Sequence, residues 1–232
     1  IRTVPKPDTT LMVVDRGQLI QDEAEVEKLR ENGYKTNNNG FMRYKFTENG
    51  VSPRVLPGMK DGLHRAATDE HDETGDLTET EENRTLMHAK RMEKLKSCLN
   101  ILPAPTLVGP AQDGSYIAGP AFKSAEVKLT FVTWGSPKEA VLEVMQKLLQ
   151  EGIKTNLLVI KYILPFHTKV IKKILESCKI KVNVEMNYEG QLASVIAEKT
   201  GIFMDHSILK WSGRQFTADQ IYEKTKEILD KK

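Results

Sequence analysis

Short apolar runs alternate with amphipathic stretches through the C-terminal half of the chain. Residues 128–134 are rich in β-branched and aromatic side chains, which is typical of a strand. Apolar residues then recur at helical spacing over 141–149, and Gly152 ends that stretch. The following run, 156–162, is almost continuously apolar, as strands buried in parallel sheets are. The pattern predicts a strand, a helix and a second strand.

The same alternation continues to the end of the chain. Short connections between alternating strands and helices favour a parallel sheet with right-handed crossovers. The predicted fold is therefore a three-layer α/β domain, with helices on both faces of the sheet. Its remaining elements are a helix with an apolar stripe over 170–178, a strand over 180–185, a helix over 191–200 closed by Gly201, a strand over 208–211 and a terminal helix capped by Thr217.

The N-terminal half has a different pattern. Residues 11–14 could form a short strand, and the charged residues 19–32 could form a helix. Glycine and proline interrupt 33–76 too often for long regular elements, yet this segment keeps apolar side chains such as Phe41 and Leu56. Such a segment is more typical of a structured arm packed on a partner than of a loose linker.

Two capping boxes punctuate the chain. Thr78-x-x-Glu81 opens a long helix predicted over about 78–99, and Ser136-x-x-Glu139 opens the helix after the first strand of the α/β domain. Residues 100–125 contain several glycines and prolines and are expected to connect the two halves. We divide the chain into 1–32, a connecting arm over 33–125 and an α/β domain over 126–232.

Composition excludes some classes of protein. The 34 basic and 32 acidic residues leave a formal net charge of +2, which gives no electrostatic case for nucleic acid. No apolar run approaches the roughly 18 residues needed to cross a bilayer. The N-terminus lacks both a signal pattern and an initiator Met, so processing or truncation is open. Cys98 and Cys178 are far apart and are expected to be reduced thiols in a cytoplasmic protein.

An acidic cluster around His71 is the first candidate site. Asp69, Glu70, Asp72 and Glu73 flank this histidine, but no second His or Cys lies nearby at metal-ligand spacing. A solvated or arginine-paired loop is the favoured interpretation, and a role near an active site or subunit junction is the alternative. The nearby arginines could pair with the cluster or could bind an anionic substrate or a coenzyme phosphate; they are Arg43, Arg54, Arg65 and Arg84.

A second candidate lies where the strand over 180–185 gives way to the next helix. Asn187, Gly190 and Gln191 are predicted at the carboxyl edge of the sheet, where ligands commonly bind. Backbone amides beside Gly190 could hold an anion, although a simple capping turn is the default interpretation. The sequence contains no dinucleotide fingerprint, phosphate loop or nucleophile elbow, and no Gly-Asp-Gly…Asn motif for a thiamine diphosphate–metal pair.

Three groups of residues occur in a specific order along almost the whole chain. The first is 41–54 with Pro57-Gly58, the second is Glu70-His71-Asp72-Glu73-x-Gly75 with Thr78-Glu79 and Glu82-Asn83-Arg84, and the third is Trp134-Gly135-Ser136, Leu164-Pro165-Phe166 and Glu185-x-Asn187-x-x-Gly190-Gln191-Leu192. This combination resembles the α subunit of the 2-oxoacid:ferredoxin oxidoreductases, of the 2-oxoglutarate or generic 2-oxoacid type. Thr68 departs from the pattern, which has a glycine there.

The resemblance implies an enzyme that oxidatively decarboxylates a 2-oxoacid with coenzyme A and passes the electrons to ferredoxin. Thiamine diphosphate, magnesium and an iron–sulfur cluster are expected in the complex, with none held wholly by this chain. The implied partners are the β subunit, upstream α/γ segments and ferredoxin, and the isolated chain is expected to be inactive. Residues 1–32 would be the tail of a pyrimidine-binding domain, and 126–232 would resemble the transketolase C-terminal domain, which is mainly architectural.

Within that frame, Arg43, Arg54, Glu70, His71 and Asp72 are predicted to lie along the substrate channel or at a subunit junction. No catalytic residue and no metal ligand is assigned. Two other interpretations stay open: a self-contained enzyme of the wider thiamine group, and a stand-alone α/β interaction module without catalysis.

Overall fold

The chain forms two compact units, Ile1–Leu102 and Pro103–Lys232. The computed structural model describes residues 17–32, 41–56, 58–59, 62–110, 116–118 and 127–230. The strand expected over 11–14 lies outside the described residues. None of the described helices is both long enough and apolar enough to cross a membrane.

The first unit has a small apolar core and one long helix. Its elements are β1 (Leu19–Ile20), α1 (Glu23–Glu31), β2 (Arg54–Val55) and α2 (Glu81–Cys98). β1 pairs with β2 in parallel, and the core beneath them consists of Ile20, Val26, Phe41 and Val55. The helix predicted over 19–32 is therefore preceded by a short strand, and most of the described segment 41–80 is irregular, as its glycines and prolines predict.

The capping box predicted at Thr78 is wrong by two residues. The amide of Thr78 donates to the Glu70 carbonyl, which commits this backbone to a loop. Thr80 has the extended backbone of an N-cap, and its side chain accepts from the amide of Asn83. The helix thus begins at Glu81.

The second unit is built on a six-stranded sheet with the order β4-β3-β6-β5-β7-β8. β5 pairs in parallel with β6 and β7, and β7 pairs in parallel with β8. β3 is antiparallel to both β6 and β4. The strands are β3 (Thr106–Pro110), β4 (Tyr116–Ala118), β5 (Leu129–Thr133), β6 (Thr155–Val159), β7 (Lys181–Glu185) and β8 (His206–Leu209).

Helices cover both faces of this sheet, which confirms the predicted three-layer fold. The helices are α3 (Pro137–Gln150), α4 (Thr168–Glu176), α5 (Gln191–Thr200) and α6 (Ala218–Asp230). Val144 and Ile221, from α3 and α6, pack with Phe131 on one face. Ile171 and Ile196, from α4 and α5, pack on the opposite face. Alternate residues of β5 enter the two cores because strand side chains point to opposite faces in turn.

Two local predictions in this unit fail. Part of the segment expected to connect the halves, 100–125, is sheet: β3 pairs with β6, so the antiparallel edge belongs to the α/β unit. Ser136 is the N-cap residue of α3, but its helical backbone (φ −69°, ψ −28°) keeps the hydroxyl from capping. That hydroxyl instead contacts the sulfur of Met186 at 3.4 Å.

Candidate functional site

A strongly basic pocket lies in the first unit. Its volume is about 350 Å³, and it is lined by Arg43, Tyr44, Val51, Ser52, Arg54, Lys90 and Lys94. Four of these side chains are cationic and none is acidic. The sequence predicted a channel or junction role for Arg43 and Arg54, and the structure brings these two together. It adds the lysines, which sequence reasoning had placed on the long helix without assigning them a role.

Helix α2 forms one wall of the pocket because one of its faces packs on an earlier part of the arm, residues 44–52. Lys90 donates to the Tyr44 carbonyl at 2.9 Å and to the Ser52 hydroxyl at 2.7 Å. Ser97, seven residues later and on the same face, donates to the Asn49 carbonyl at 2.9 Å. Gly50 permits the close approach, since a Cβ there would lie 2.6 Å from the Lys90 carbonyl oxygen.

The pocket is electrostatically strained. The pKa of Lys90 is lowered to about 8, chiefly by burial and then by the neighbouring charges of Lys94 and Arg43, against a smaller opposing effect of Glu73. Arg54 has a buried Nε that finds no hydrogen-bond partner among the described residues. The close approach of these cations therefore destabilises the folded unit. Such an arrangement is typical of ligand-binding sites and not of purely structural contacts.

The acidic cluster forms a separate, well-satisfied network. Glu70 accepts from Arg84 at 3.0 Å and from both terminal nitrogens of Arg91, at 3.0 and 2.5 Å. Its side chain is only 9% exposed. The hydrogen bonds from Arg91 lower the pKa of Glu70 to about 2, although burial acts in the opposite direction. The sequence patterns did not single out Arg91, although its spacing of seven residues from Arg84 puts both on one helical face.

The rest of the cluster folds the loop on itself. Asp72 accepts from the amide and hydroxyl of Thr74, at 2.8 and 2.6 Å, and from the amide of Asp76. Burial alone would raise the pKa of Asp72, but these hydrogen bonds outweigh it, so the pKa is lowered. The His71 ring lies 4.0 Å from the ring of Tyr44, which also lines the basic pocket.

The four arginines of the arm thus divide into two kinds. Arg84 and Arg65 form ion pairs with Glu70 and Asp76, at 3.0 and 2.7 Å. Arg43 and Arg54 face the basic pocket. Ion pairs with the acidic residues therefore account for Arg65 and Arg84. Arg43 and Arg54 remain as candidates to bind an anionic ligand. No group of three or more His, Cys, Asp or Glu side chains suited to a metal occurs in the described part of the chain.

The candidates at the sheet edge serve the turn between β7 and α5. Asn187 and Gly190 follow the carboxyl end of β7, where the sequence predicts them. The Asn187 side-chain oxygen accepts from the amides of Gly190 and Gln191, at 2.7 and 3.2 Å. Gly190 has a left-handed backbone, with φ +69°.

A carboxylate of the chain itself occupies the start of α5. Glu185 is fully buried, and its oxygens accept from the amides of Leu192 and Ala193, at 2.8 and 3.0 Å. The amide groups of Asn183 and Asn187 complete its shell, at 3.0 and 2.9 Å. The free amides at the start of α5 therefore already have partners within the chain.

Comparison with known proteins gives consistent matches. The family model described as pyruvate:ferredoxin oxidoreductase core domain II matches residues 126–221. The chain is 35% identical over 196 residues to the 2-oxoacid:ferredoxin oxidoreductase subunit alpha of Saccharolobus solfataricus, covering 84% of this chain and 29% of that protein. It is 29% identical over 211 residues to subunit alpha of 2-oxoacid:ferredoxin oxidoreductase 1 of Sulfurisphaera tokodaii, covering 90% of this chain and 31% of that protein.

A solved structure agrees with these sequence matches. The 2-oxoglutarate:ferredoxin oxidoreductase of Magnetococcus marinus, with 2-oxoglutarate, coenzyme A and succinyl-CoA bound, superimposes with a TM-score of 0.66 at 30% identity. The match covers 80% of this chain and 30% of that one. The chain thus spans less than a third of the length of each of these relatives.

Proposed function

This chain belongs to the α subunits of the 2-oxoacid:ferredoxin oxidoreductase family, and we propose that it works as part of a complex that oxidatively decarboxylates a 2-oxoacid. The products would be an acyl-CoA, carbon dioxide and reduced ferredoxin. The observation that carries the proposal is the correspondence of this chain, in both sequence and fold, to one region of much longer α subunits.

The proposed contribution of this chain is to pack against other subunits and to form a wall of the active-site channel. The basic pocket supports this role, because 2-oxoacids and coenzyme A are both anionic. Arg43 and Arg54 would face the channel. Glu70, His71 and Asp72 would hold the neighbouring loop in shape through the contacts described above.

The cofactors of the complex are proposed to lie mainly on other polypeptides. Thiamine diphosphate with magnesium would supply the carbanion chemistry, and an iron–sulfur cluster would carry electrons to ferredoxin. The β subunit and upstream α/γ segments would complete these sites. The proposed location of the complex is the cytoplasm, where reduced Cys98 and Cys178 would be stable; neither forms a disulfide.

Reconstitution tests this proposal. The chain is co-expressed with a β subunit and the upstream segments of an α subunit, and reduction of ferredoxin is followed after addition of a 2-oxoacid and coenzyme A. We expect no turnover by the chain alone, and turnover by the assembled complex that requires both substrates. The matched control replaces this chain with one carrying Phe131→Asp, which disrupts the buried sheet.

Other outcomes would support the competing interpretations. Turnover by the isolated chain would contradict the proposal and favour a self-contained thiamine enzyme, as would thiamine diphosphate binding to the isolated chain in calorimetry. Failure to co-purify with any candidate subunit, while the chain stays folded, would favour a stand-alone interaction module.

A further inference from the structure

The basic pocket of the first unit is better suited to phosphate than to a single carboxylate. Two of its cations come from the arm, Arg43 and Arg54, and two come from α2, Lys90 and Lys94. A monocarboxylate would neutralise one of these charges, whereas a phosphate monoester carries about 1.5 to 2 negative charges and three acceptor oxygens. A diphosphate carries more negative charge and more acceptor oxygens than a monoester does. The number of converging cations therefore indicates a phosphorylated ligand.

Unused donors in the pocket point the same way. Lys90 has three N–H donors, of which the Tyr44 carbonyl and the Ser52 hydroxyl take two. The buried Nε of Arg54 is without a partner among the described residues. Neither Arg43 nor Lys94 forms an ion pair with a described residue. An anion that accepted from these groups would offset the cost of burying Lys90 and the Arg54 Nε and of holding four cations close together.

The carboxylate of Glu73, which acts on Lys90, does not fill this role. Glu73 raises the pKa of Lys90 slightly, but this effect is smaller than those of burial, Lys94 and Arg43. One oxygen of Glu73 is occupied by the amide of Phe46 at 2.8 Å. Glu70, the strongest local acid, is held by Arg84 and Arg91 outside the pocket. The acids in the described part of the chain thus leave the pocket positive.

We propose that the pocket formed by Arg43, Arg54, Lys90 and Lys94 binds the phosphate group of a phosphorylated ligand. The volume of about 350 Å³ accommodates a small anion or the phosphate end of a larger molecule. Coenzyme A carries both a diphosphate and a 3′-phosphate, so it would be the natural ligand of the pocket. Only this identification of the ligand rests on the proposed function. Phosphate binding by the chain does not depend on that function.

Isothermal titration calorimetry of the whole chain tests the inference. Pyrophosphate is the probe, and coenzyme A and dephospho-coenzyme A separate a diphosphate from a 3′-phosphate as the source. Acetate and 2-oxoglutarate test carboxylates. We expect pyrophosphate to bind, and Arg54→Gln and Lys94→Gln each to weaken it about tenfold, which corresponds to about 1.4 kcal/mol per lost charge. These variants are preferred to Lys90→Gln because Lys90 also holds the arm to α2.

Lys96→Gln is the matched control. Lys96 is on the same helix, but its side chain is 73% exposed and pairs with Glu93, so its loss should leave pyrophosphate affinity unchanged. Equal weakening in this variant would mean non-specific attraction and would overturn the inference. Tighter binding of 2-oxoglutarate than of pyrophosphate would also overturn it. If the chain did not bind pyrophosphate but the reconstituted complex turned over fully, only the phosphate site would be rejected. If the chain bound pyrophosphate but the reconstituted complex did not turn over, only the proposed function would be rejected.

Discussion

At the scale of single residues, Glu70 shows how a carboxylate in a motif can serve structure. Arg84 and Arg91 converge on it from one face of α2, and its side chain is almost buried. A carboxylate held by three charged hydrogen bonds orders the loop that carries His71 and Asp72. The apparent chelating cluster is therefore shaped by cations of the protein itself.

Replacement of Glu70 by Gln should destabilise the first unit by about 1–2 kcal/mol at neutral pH, a value reduced because both arginines are partly exposed. The pKa of Glu70 is lowered from 4.5 to about 2. The stabilisation is therefore present above about pH 4.5 and is lost as pH falls towards 2. Hydrogen exchange of peptides around 69–91, compared between wild type and variant across this range, measures the effect.

The control for this experiment is Glu79→Gln. Glu79 is exposed on the same segment, so its replacement should change exchange by little at any pH. A difference between wild type and E70Q that persisted undiminished near pH 2 would contradict the assigned ion pairs.

Gly75 is the second residue whose identity the structure explains. Its φ is +91°, and a Cβ there would lie 1.9 Å from the carbonyl oxygen of Arg65. Gly75→Ala should therefore cost about 3 kcal/mol or more, from backbone strain and steric overlap together. Gly58→Ala is the matched variant, because Gly58 has φ +89° but no atoms near the added Cβ. It should cost only about 1–2 kcal/mol.

Hydrogen exchange is the appropriate measurement for both glycine variants. Trp134 and Trp211 lie in the second unit, so tryptophan fluorescence does not report on the first. Similar protection of 65–80 in the two variants would show that the close approach of Gly75 to Arg65 is absent in solution.

At the scale of elements, the beginning of α2 depends on one threonine. Thr80 caps the helix by accepting from the amide of Asn83 at 3.4 Å, a long hydrogen bond. Thr80→Ala should therefore destabilise the first unit by about 0.5–1 kcal/mol, at the lower end for N-caps, and speed exchange of the Asn83 amide. Thr78→Ala should have a smaller effect, since the Thr78 hydroxyl makes only a long contact of 3.4 Å with the Thr80 hydroxyl and caps no helix amide. A larger effect at Thr78 would restore the capping box first inferred from the sequence.

Strands and helices were predicted correctly where their burial gives a local pattern of apolar residues in the sequence. β5 and β6 are buried throughout and β7 is buried at four of its five residues, and the described helices beside them carry one apolar stripe each, so local patterns located them. β3 was missed because its five residues contain Gly109 and Pro110, which usually mark a connection. Its antiparallel pairing with β6 depends on a partner about fifty residues away, as Thr106 opposite Val159 shows. No local pattern encodes that choice.

At the scale of the whole molecule, the same limit applies to the candidate site. The sequence drew attention to Arg43 and Arg54 because guanidinium groups suit anions. It did not place Lys90 and Lys94 beside them, because the docking of α2 on the arm is a tertiary event. The fold of the second unit was thus largely predictable, whereas the pocket became visible only when two separate segments were seen together.

The position of β3 has a consequence for how the protein is made. The ribosome synthesises β3 before β6, although these two strands are neighbours in the sheet. Until residues 155–159 leave the exit tunnel, the hydrogen-bonding groups of β3 that face β6 must be satisfied by water. The pairing of β3 with β6 can therefore form only after β5 and α3 have been synthesised, and a nascent chain stalled in α3 would present β3 as an open sheet edge to other polypeptides.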